Sequence, residues 1–337
     1  MRLMNLFFIR LLGMALLCTT ACTGRGDYPD AEVEIPDFNF PGTVVFEQNL
    51  SAYGIFRETP ADLLPSDGFH LLELSSILFT DYAHKQRLVK VPPGTQINRM
   101  SDGSLLYPDG TMLTKTFFYY QDERDRSLGK RIIETRLLIK ESGTWNLATY
   151  LWNEAQTEAV LTWEGFDTPV NWIAADGTPF STRYHVPNQN ECITCHQSQS
   201  KMTPIGPRLR NLNREVVRKG NRLNQLSHLQ AEGVLNDFSV SQVAEIVDYA
   251  DPMVPLADRG RAYLEMNCAH CHHPLGWEAS AERDFDFRYE TPLDQSGILF
   301  GEEEILEAVV DREMPFIGTT LLDQEGVALL IEYIESL

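Results

Sequence analysis

The sequence predicts a multidomain α+β chain in which an N-terminal all-β region, sandwich-like or jelly-roll-like, precedes mostly α-helical modules built around two cysteine-histidine motifs. Three observations carry that prediction. Short β-rich runs alternate with turn dipeptides between residues 45 and 186, a Cys-x-x-Cys-His motif occurs twice after them, and residues 256–337 show helical apolar periods. With 337 residues, 43% apolar and 23% charged, the chain has the length and composition for several cores. Its 28 Lys and Arg against 48 Asp and Glu leave a net charge of -20. That balance excludes nucleic acid as the principal ligand, because binding to a phosphate backbone draws most of its affinity from cations.

Residues 1–21 read as an export signal. Arg2 and Arg10 make a positive start, Leu11 to Leu17 an apolar run, and Thr19, Thr20 and Ala21 a small-residue junction before Cys22. The junction resembles that of bacterial lipoproteins, with Thr19 where leucine is usual. The resemblance implies cleavage before Cys22 and a lipid on its thiol. Because Thr23 rather than an aspartate follows, it also implies a periplasmic protein anchored to the outer membrane. Cleavage removes two arginines and no acid, for a mature charge of -22. Residues 22–44 carry Asp27, Asp30, Glu32, Glu34 and Asp37 among three prolines and show no helical period, which reads as an acidic tether. After residue 21 no apolar run approaches the ~18 residues that span a bilayer as a helix.

In the β region, 45–186, Asp67-Gly68, Asp102-Gly103, Asp109-Gly110, Ser142-Gly143 and Asp176-Gly177 punctuate runs at 116–121, 131–140, 144–152 and 159–163. Trp145, Trp152, Trp163 and Trp172 read as core. Two polar clusters, 81–87 and 152–156, match no catalytic or metal spacing and read as structural hydrogen bonding.

Of the six cysteines, Cys18 lies in the signal and Cys22 at its junction. The other four form Cys192-Ile193-Thr194-Cys195-His196 and Cys268-Ala269-His270-Cys271-His272, the c-type haem attachment pattern twice. Two thiols three positions apart can form thioethers to the two vinyl groups of one porphyrin, and the next histidine becomes the proximal iron ligand. A zinc site is the first alternative, but 72 residues separate Cys195 from Cys268, against ~15–20 in a zinc ribbon. Disulfides in an oxidising compartment are the second. Neither accounts for both trailing histidines, whose chance occurrence is roughly 6 in 10,000 from 8 histidines in 337 residues. The pattern therefore predicts two covalently bound haem c groups.

Residues 187–255 form the first haem-binding segment. Pro187 and the missing helical period before Cys192 deny it the helix that precedes the second motif. Asn221–Ala231 and Ser239–Tyr249 read as short helices. The sixth ligand of this haem stays open among Met202, His228, Met253 and His185, or an open site, with Met202 only six residues past His196.

Residues 256–337 resemble a class I cytochrome c domain. Leu256–Met266 reads as the helix entering the motif, Glu302–Val310 as a short amphipathic helix, and Asp323–Ser336 as the last helix with Asp323 as N-cap. The resemblance implies that Gly260 and Leu264 lie where the first helix crosses the last, near Leu330 and Tyr333. Met314, 42 residues after His272 and followed by proline, is the candidate sixth ligand of the second haem.

The mature chain as a whole resembles a family of bacterial dihaem c-type cytochrome lipoproteins. The resemblance runs through residues 78–83, 134–138 and 152–156, Pro204-Ile205-Gly206-Pro207, and residues 261–272. The resemblance reveals no reaction and implies a possible parallel β-helix repeat partner; two haems on an exported chain point to electron transfer at the cell envelope. The acidic surface points to a redox partner with a basic docking face. Two other functions stay open: a peroxidase-like dihaem oxidoreductase with an open position at the first haem, and a β-domain binding module wired to a redox chain.

Overall fold

The computed structural model describes residues 44–101, 103–198, 201–276, 284–315 and 317–337. The signal, Cys22 and the tether to residue 43 lie outside the described residues. Those described fall in a unit running from Glu34 to Leu337.

Alternating side chains and turns build strands β1 (His70–Leu71), β2 (His84–Lys90), β3 (Asn98–Arg99), β4 (Leu105–Leu106), β5 (Met112–Tyr120), β6 (Lys130–Glu141), β7 (Thr144–Trp152) and β8 (Ala159–Thr162). Six of them form an antiparallel sheet in the order β1-β2-β5-β6-β7-β8, while β3 and β4 pair separately. One face carries Leu88, Leu137, Ala148 and Tyr150, covered by Leu50, Ile55 and Phe69 from the preceding segment.

The opposite face has three cross-strand rows. Val89, Leu113, Leu138 and Leu147 form the first; Arg87, Lys115, Arg136 and Thr149 the second; Lys85, Phe117, Glu134 and Leu151 the third. The first row shares a core with Cys192, Ile193, Met202, Leu209, Leu226 and Leu229. In the third row, Phe117 packs with Val170, Trp172, Tyr184 and Val186. These come from the hairpin of β9 (Phe166–Ile173) and β10 (Pro179–Val186). The charged second row thus lies between two apolar clusters on one sheet face.

The expected fold class, an all-β sandwich or jelly roll followed by mostly α-helical haem modules, is corrected. Strand exceeds helix, and the described residues hold six helices. The sheet is covered by a single hairpin and by short mixed segments rather than by a second large sheet. Residues 187–255 interleave α1 (Gln189–His196), α2 (Leu209–Leu212) and α3 (Gln225–Ala231) with two hairpins. These are β11 (Gln197–Ser198) with β12 (Lys201–Met202), and β13 (Glu215–Arg218) with β14 (Asn221–Asn224). Strands of two to four residues are too short to print a period of two on the sequence. Residues 221–224 are strand rather than helix because Lys219 and Gly220 turn the chain at positive φ, 50° and 80°, the geometry of a tight hairpin. Of 239–249, only Val240–Gln242 is helical, as a single 3-10 turn.

Three longer elements close the chain: α4 (Leu256–Asn267), α5 (Glu302–Val310) and α6 (Gln324–Glu335). Asp323 caps α6 by accepting the Gly326 N–H at 2.9 Å. Helices α4 and α6 cross at two reciprocal glycine–tyrosine pairs. A Cβ on Gly260 would sit 2.2 Å from Cγ of Tyr333, and one on Gly326 would sit 2.2 Å from Cε2 of Tyr263. Absent Cβ atoms let each ring lie on the other helix's backbone, and Leu264 and Leu330 bury fully beside them. Each such aliphatic burial stabilises by ~1.5–3 kcal/mol.

Candidate functional site

The first motif rides on α1, and its placement begins with a cap. Asn188 Oδ1 accepts the Glu191 N–H at 3.0 Å, and Glu191 Oε2 accepts the Asn188 N–H at 2.7 Å. That capping box starts the helix directly after β10. Glu191 also meets His185 Nε2 at 3.0 Å, and Asp167 Oδ1 on β9 meets His185 Nδ1 at 2.6 Å. The hydrogen bond with Glu191 is the main reason the His185 ring is pushed up to about 9. His185, one of the residues considered for the first iron, instead clips β9 and β10 to the motif helix. On α1, Cys192, Cys195 and His196 fall at i, i+3 and i+4, on one side of the helix. Burial pushes the Cys192 thiol up to about 12, with the Thr149 hydroxyl beside it.

His196 is held in one orientation. Its Nδ1 lies 2.8 Å from the Thr203 carbonyl, and the Thr203 N–H donates to the His196 carbonyl at 2.7 Å. A carbonyl only accepts, so Nδ1 carries the proton. Burial, then the charges of Lys115 and Arg136, push the ring down to about 3, so the imidazole is neutral and Nε2 keeps its lone pair. This is the arrangement that orients a metal-binding histidine.

The second motif begins at the end of α4, where the Cys268 N–H donates to Leu264 O at 2.9 Å and the His272 N–H to Cys268 O at 2.9 Å. Burial pushes the Cys268 thiol up to about 12. The His272 ring lies 5.3 Å from Phe287 and 6.2 Å from Phe285, which stack on each other at 5.0 Å. Met314 packs, partly buried, against the cluster that holds Leu264, Ala269 and Phe287, and its N–H donates to Ala308 O at 2.9 Å.

The two motifs meet. Donor atoms of Cys195, His270 and Cys271 lie within 4.8 Å of one another, and no disulfide joins the four cysteines of the two motifs. The hydrogen bond with Cys271, followed by burial, raises the Cys195 thiol well above its ordinary value. Among the described residues, His270 Nδ1 is buried with no hydrogen-bond partner. In each motif two thiols and the histidine that follows are the residue types that could hold a haem, the thiols through its vinyl groups and the imidazole at its iron. The cluster of three also offers ligands to a soft metal ion.

Met202 sits on β12, paired with Gln197 and therefore beside His196, with its side chain buried in the core of Leu74, Leu209 and Leu226. His228 lies on α3 with Glu232 4.0 Å away, and Met253 is 88% exposed. The polar cluster at 81–87 divides into two roles. Asp81 accepts the N–H groups of Thr320 and Leu321, at 2.8 and 2.9 Å, and the Thr320 hydroxyl at 2.7 Å, tying the loop before α6 to the sheet. Lys85 and Arg87 join the charged rows that face α1. In the cluster at 152–156, the Gln156 amide bonds both backbone groups of Ile132, a structural role.

Sequence reasoning missed two features of this site. The Asn188-x-x-Glu191 cap was written in the chain as a capping-box pattern. The cation row was not, because Arg87, Lys115 and Arg136 become neighbours only through strand register.

Comparisons with family models, with curated proteins and with solved structures find no match to this chain. No helix among the described residues is long and apolar enough to cross a membrane.

Proposed function

We propose that this chain is an exported c-type cytochrome that holds two haems and transfers electrons at the cell envelope, anchored to the outer membrane through lipid on Cys22. The observation that carries the proposal is the meeting of two Cys-x-x-Cys-His motifs, separated by 71 residues, at Cys195, His270 and Cys271. Attachment points this close make the two redox centres neighbours, as transfer within one protein requires.

Cys192 and Cys195 would hold the first haem with His196 as proximal ligand. Cys268 and Cys271 would hold the second, with His272 and Met314 as the residues that would ligate its iron. Bound there, each haem supplies one-electron iron chemistry, and a thioether ligand raises the potential. The chain's part is orientation and exclusion of water: the Thr203 carbonyl fixes the His196 tautomer, and Phe285 and Phe287 wall the His272 ring. The acidic surface suits a partner with a basic face, through an encounter that salt weakens. A parallel β-helix repeat protein remains a partner by family resemblance only.

The placement of Met202 favours a second reading. Met202 is buried in the core of Leu74, Leu209 and Leu226, and a methionine kept there would leave the first haem an open position, which suits a peroxidase-like oxidoreductase.

Intact mass and a haemochrome spectrum, on protein from a host competent in cytochrome maturation, test the proposal. Two haems are expected, one lost in Cys192→Ala/Cys195→Ala and the other in Cys268→Ala/Cys271→Ala. Colourless protein, or protein carrying only a bound metal ion, refutes it. Two low-spin haems support the carrier, whereas a high-spin haem that binds cyanide supports the enzyme. Met314→Ala should turn the second haem high-spin and lower its potential.

A further inference from the structure

We propose that Arg87 and Lys115, with Arg136 and Lys85 beside them, form a carboxylate-binding site whose occupants are the two propionates of the haem held by Cys192 and Cys195. The inference rests on the dihaem reading and adds to it what the sheet does.

Strand register sets the argument. Arg87 lies directly across from Lys115, and Lys115 directly across from Arg136, on three adjacent strands. Like charges in directly opposed positions destabilise a sheet, so a row of three cations demands a counter-charge. Among the described residues, one carboxylate bonds to a member of the row. Glu134 takes the Arg136 guanidinium through two hydrogen bonds, at 2.6 and 2.9 Å, and its Oε1 also accepts the Tyr184 hydroxyl at 2.7 Å. Lys85 donates to the Leu78 carbonyl at 2.9 Å, near Asp81. Among the described residues, neither the Arg87 guanidinium nor the Lys115 ammonium makes a hydrogen bond or ion pair with a side chain. The Lys115 ammonium is 4.8 Å from the centroid of the Phe117 ring, and the Arg136 guanidinium is 4.6 Å from the same centroid. One aromatic ring is thus shared by two cations.

Two cations with no carboxylate bonded to them, in a protein of net charge -20, match a ligand with two carboxylates. The row lies where such a ligand would be. Thr149, at its end, stands beside the Cys192 thiol, and the charges of Lys115 and Arg136 act on the His196 ring. Burial and mutual repulsion also push Lys85 and Lys115 toward their neutral forms. A carboxylate bound there restores their charge, and positive charge near the iron favours the ferrous state.

The test uses the full chain purified with its haems and reads both reduction potentials by spectroelectrochemistry. Lys115→Met should lower the first haem's potential and Lys115→Glu should lower it further. Lys115→Arg should leave it in place, and the second haem should not move in any of the three. Arg87→Gln and Arg87→Lys repeat the comparison at the other cation, so a variant that fails to fold leaves a second route. Potentials that ignore charge at both positions overturn the site. In a second arm, succinate and inorganic phosphate are titrated into the unmodified protein at low salt by calorimetry. No saturable binding is expected; binding that Lys115→Met removes would assign the site to a free anion and overturn the propionate assignment. Unmodified protein without attached haem overturns the dihaem reading and this occupant together, whereas two haems with unmoved potentials overturn the site alone.

Discussion

Replacing Gly260 by alanine tests the helix crossing that frames the second motif. The added Cβ would meet Tyr333 at 2.2 Å from Cγ, 2.4 Å from Cδ1 and 2.7 Å from Cβ. Carbon atoms pack at ~3.5–4.0 Å, so the helices must separate by about 1.5 Å or the ring must leave. The ring is 1% exposed and has no free space to enter. Overpacking of this kind costs ~1–3 kcal/mol, and three clashing atoms of a rigid ring place this case at the upper end. Alanine's helix propensity offsets ~1 kcal/mol, leaving a net destabilisation of about 2 kcal/mol. Denaturant unfolding of Gly260→Ala reads that change, and Gly260→Ala/Tyr333→Leu should recover part of it. If Gly260→Ala were neutral, or stabilised the protein as propensity alone requires, α4 and α6 would not cross at this pair.

Two further perturbations address how the site is held. The His185 ring, raised to about 9, contributes stability that is complete below the ordinary histidine value of 6.5 and is lost as pH rises through about 9. Its partners are Asp167 on β9 and Glu191 on α1, with Arg183 3.8 Å from Asp167. With the ring about a third exposed and the shift discounted for screening, the loss is ~1–2 kcal/mol. Unfolding free energy should fall between pH 6 and 10 in the unmodified protein and less so in His185→Gln; equal slopes would remove the clip. Asp81→Ala strands two backbone N–H groups and a hydroxyl in a buried place, at a cost of about 3 kcal/mol. Limited proteolysis should then cut near Thr320 before the sheet opens, and an unchanged digestion pattern would show that this tie is not needed.

Local chemistry made part of this protein legible in its sequence. The haem attachment pattern needs only five consecutive residues. The runs behind β5 to β8, the apolar periods of α4, α5 and α6, and the Asp323 cap each depend on neighbours within a few positions. Gly260 and Tyr333 were readable as a crossing only through family resemblance, and their mutual fit is visible only in the packed helices. Tertiary structure decided what depends on pairing across the chain. It made residues 187–255 a mixture of hairpins and short helices, because two-residue strands are stabilised by their partners and leave no period behind. It turned His185 into a clip and paired Met202 with Gln197 on a hairpin of two-residue strands. Above all, it brought Cys195 to Cys271 and lined up Arg87, Lys115 and Arg136. Distances between residues far apart in sequence are set by which surfaces bury each other, and no local pattern of residues encodes that.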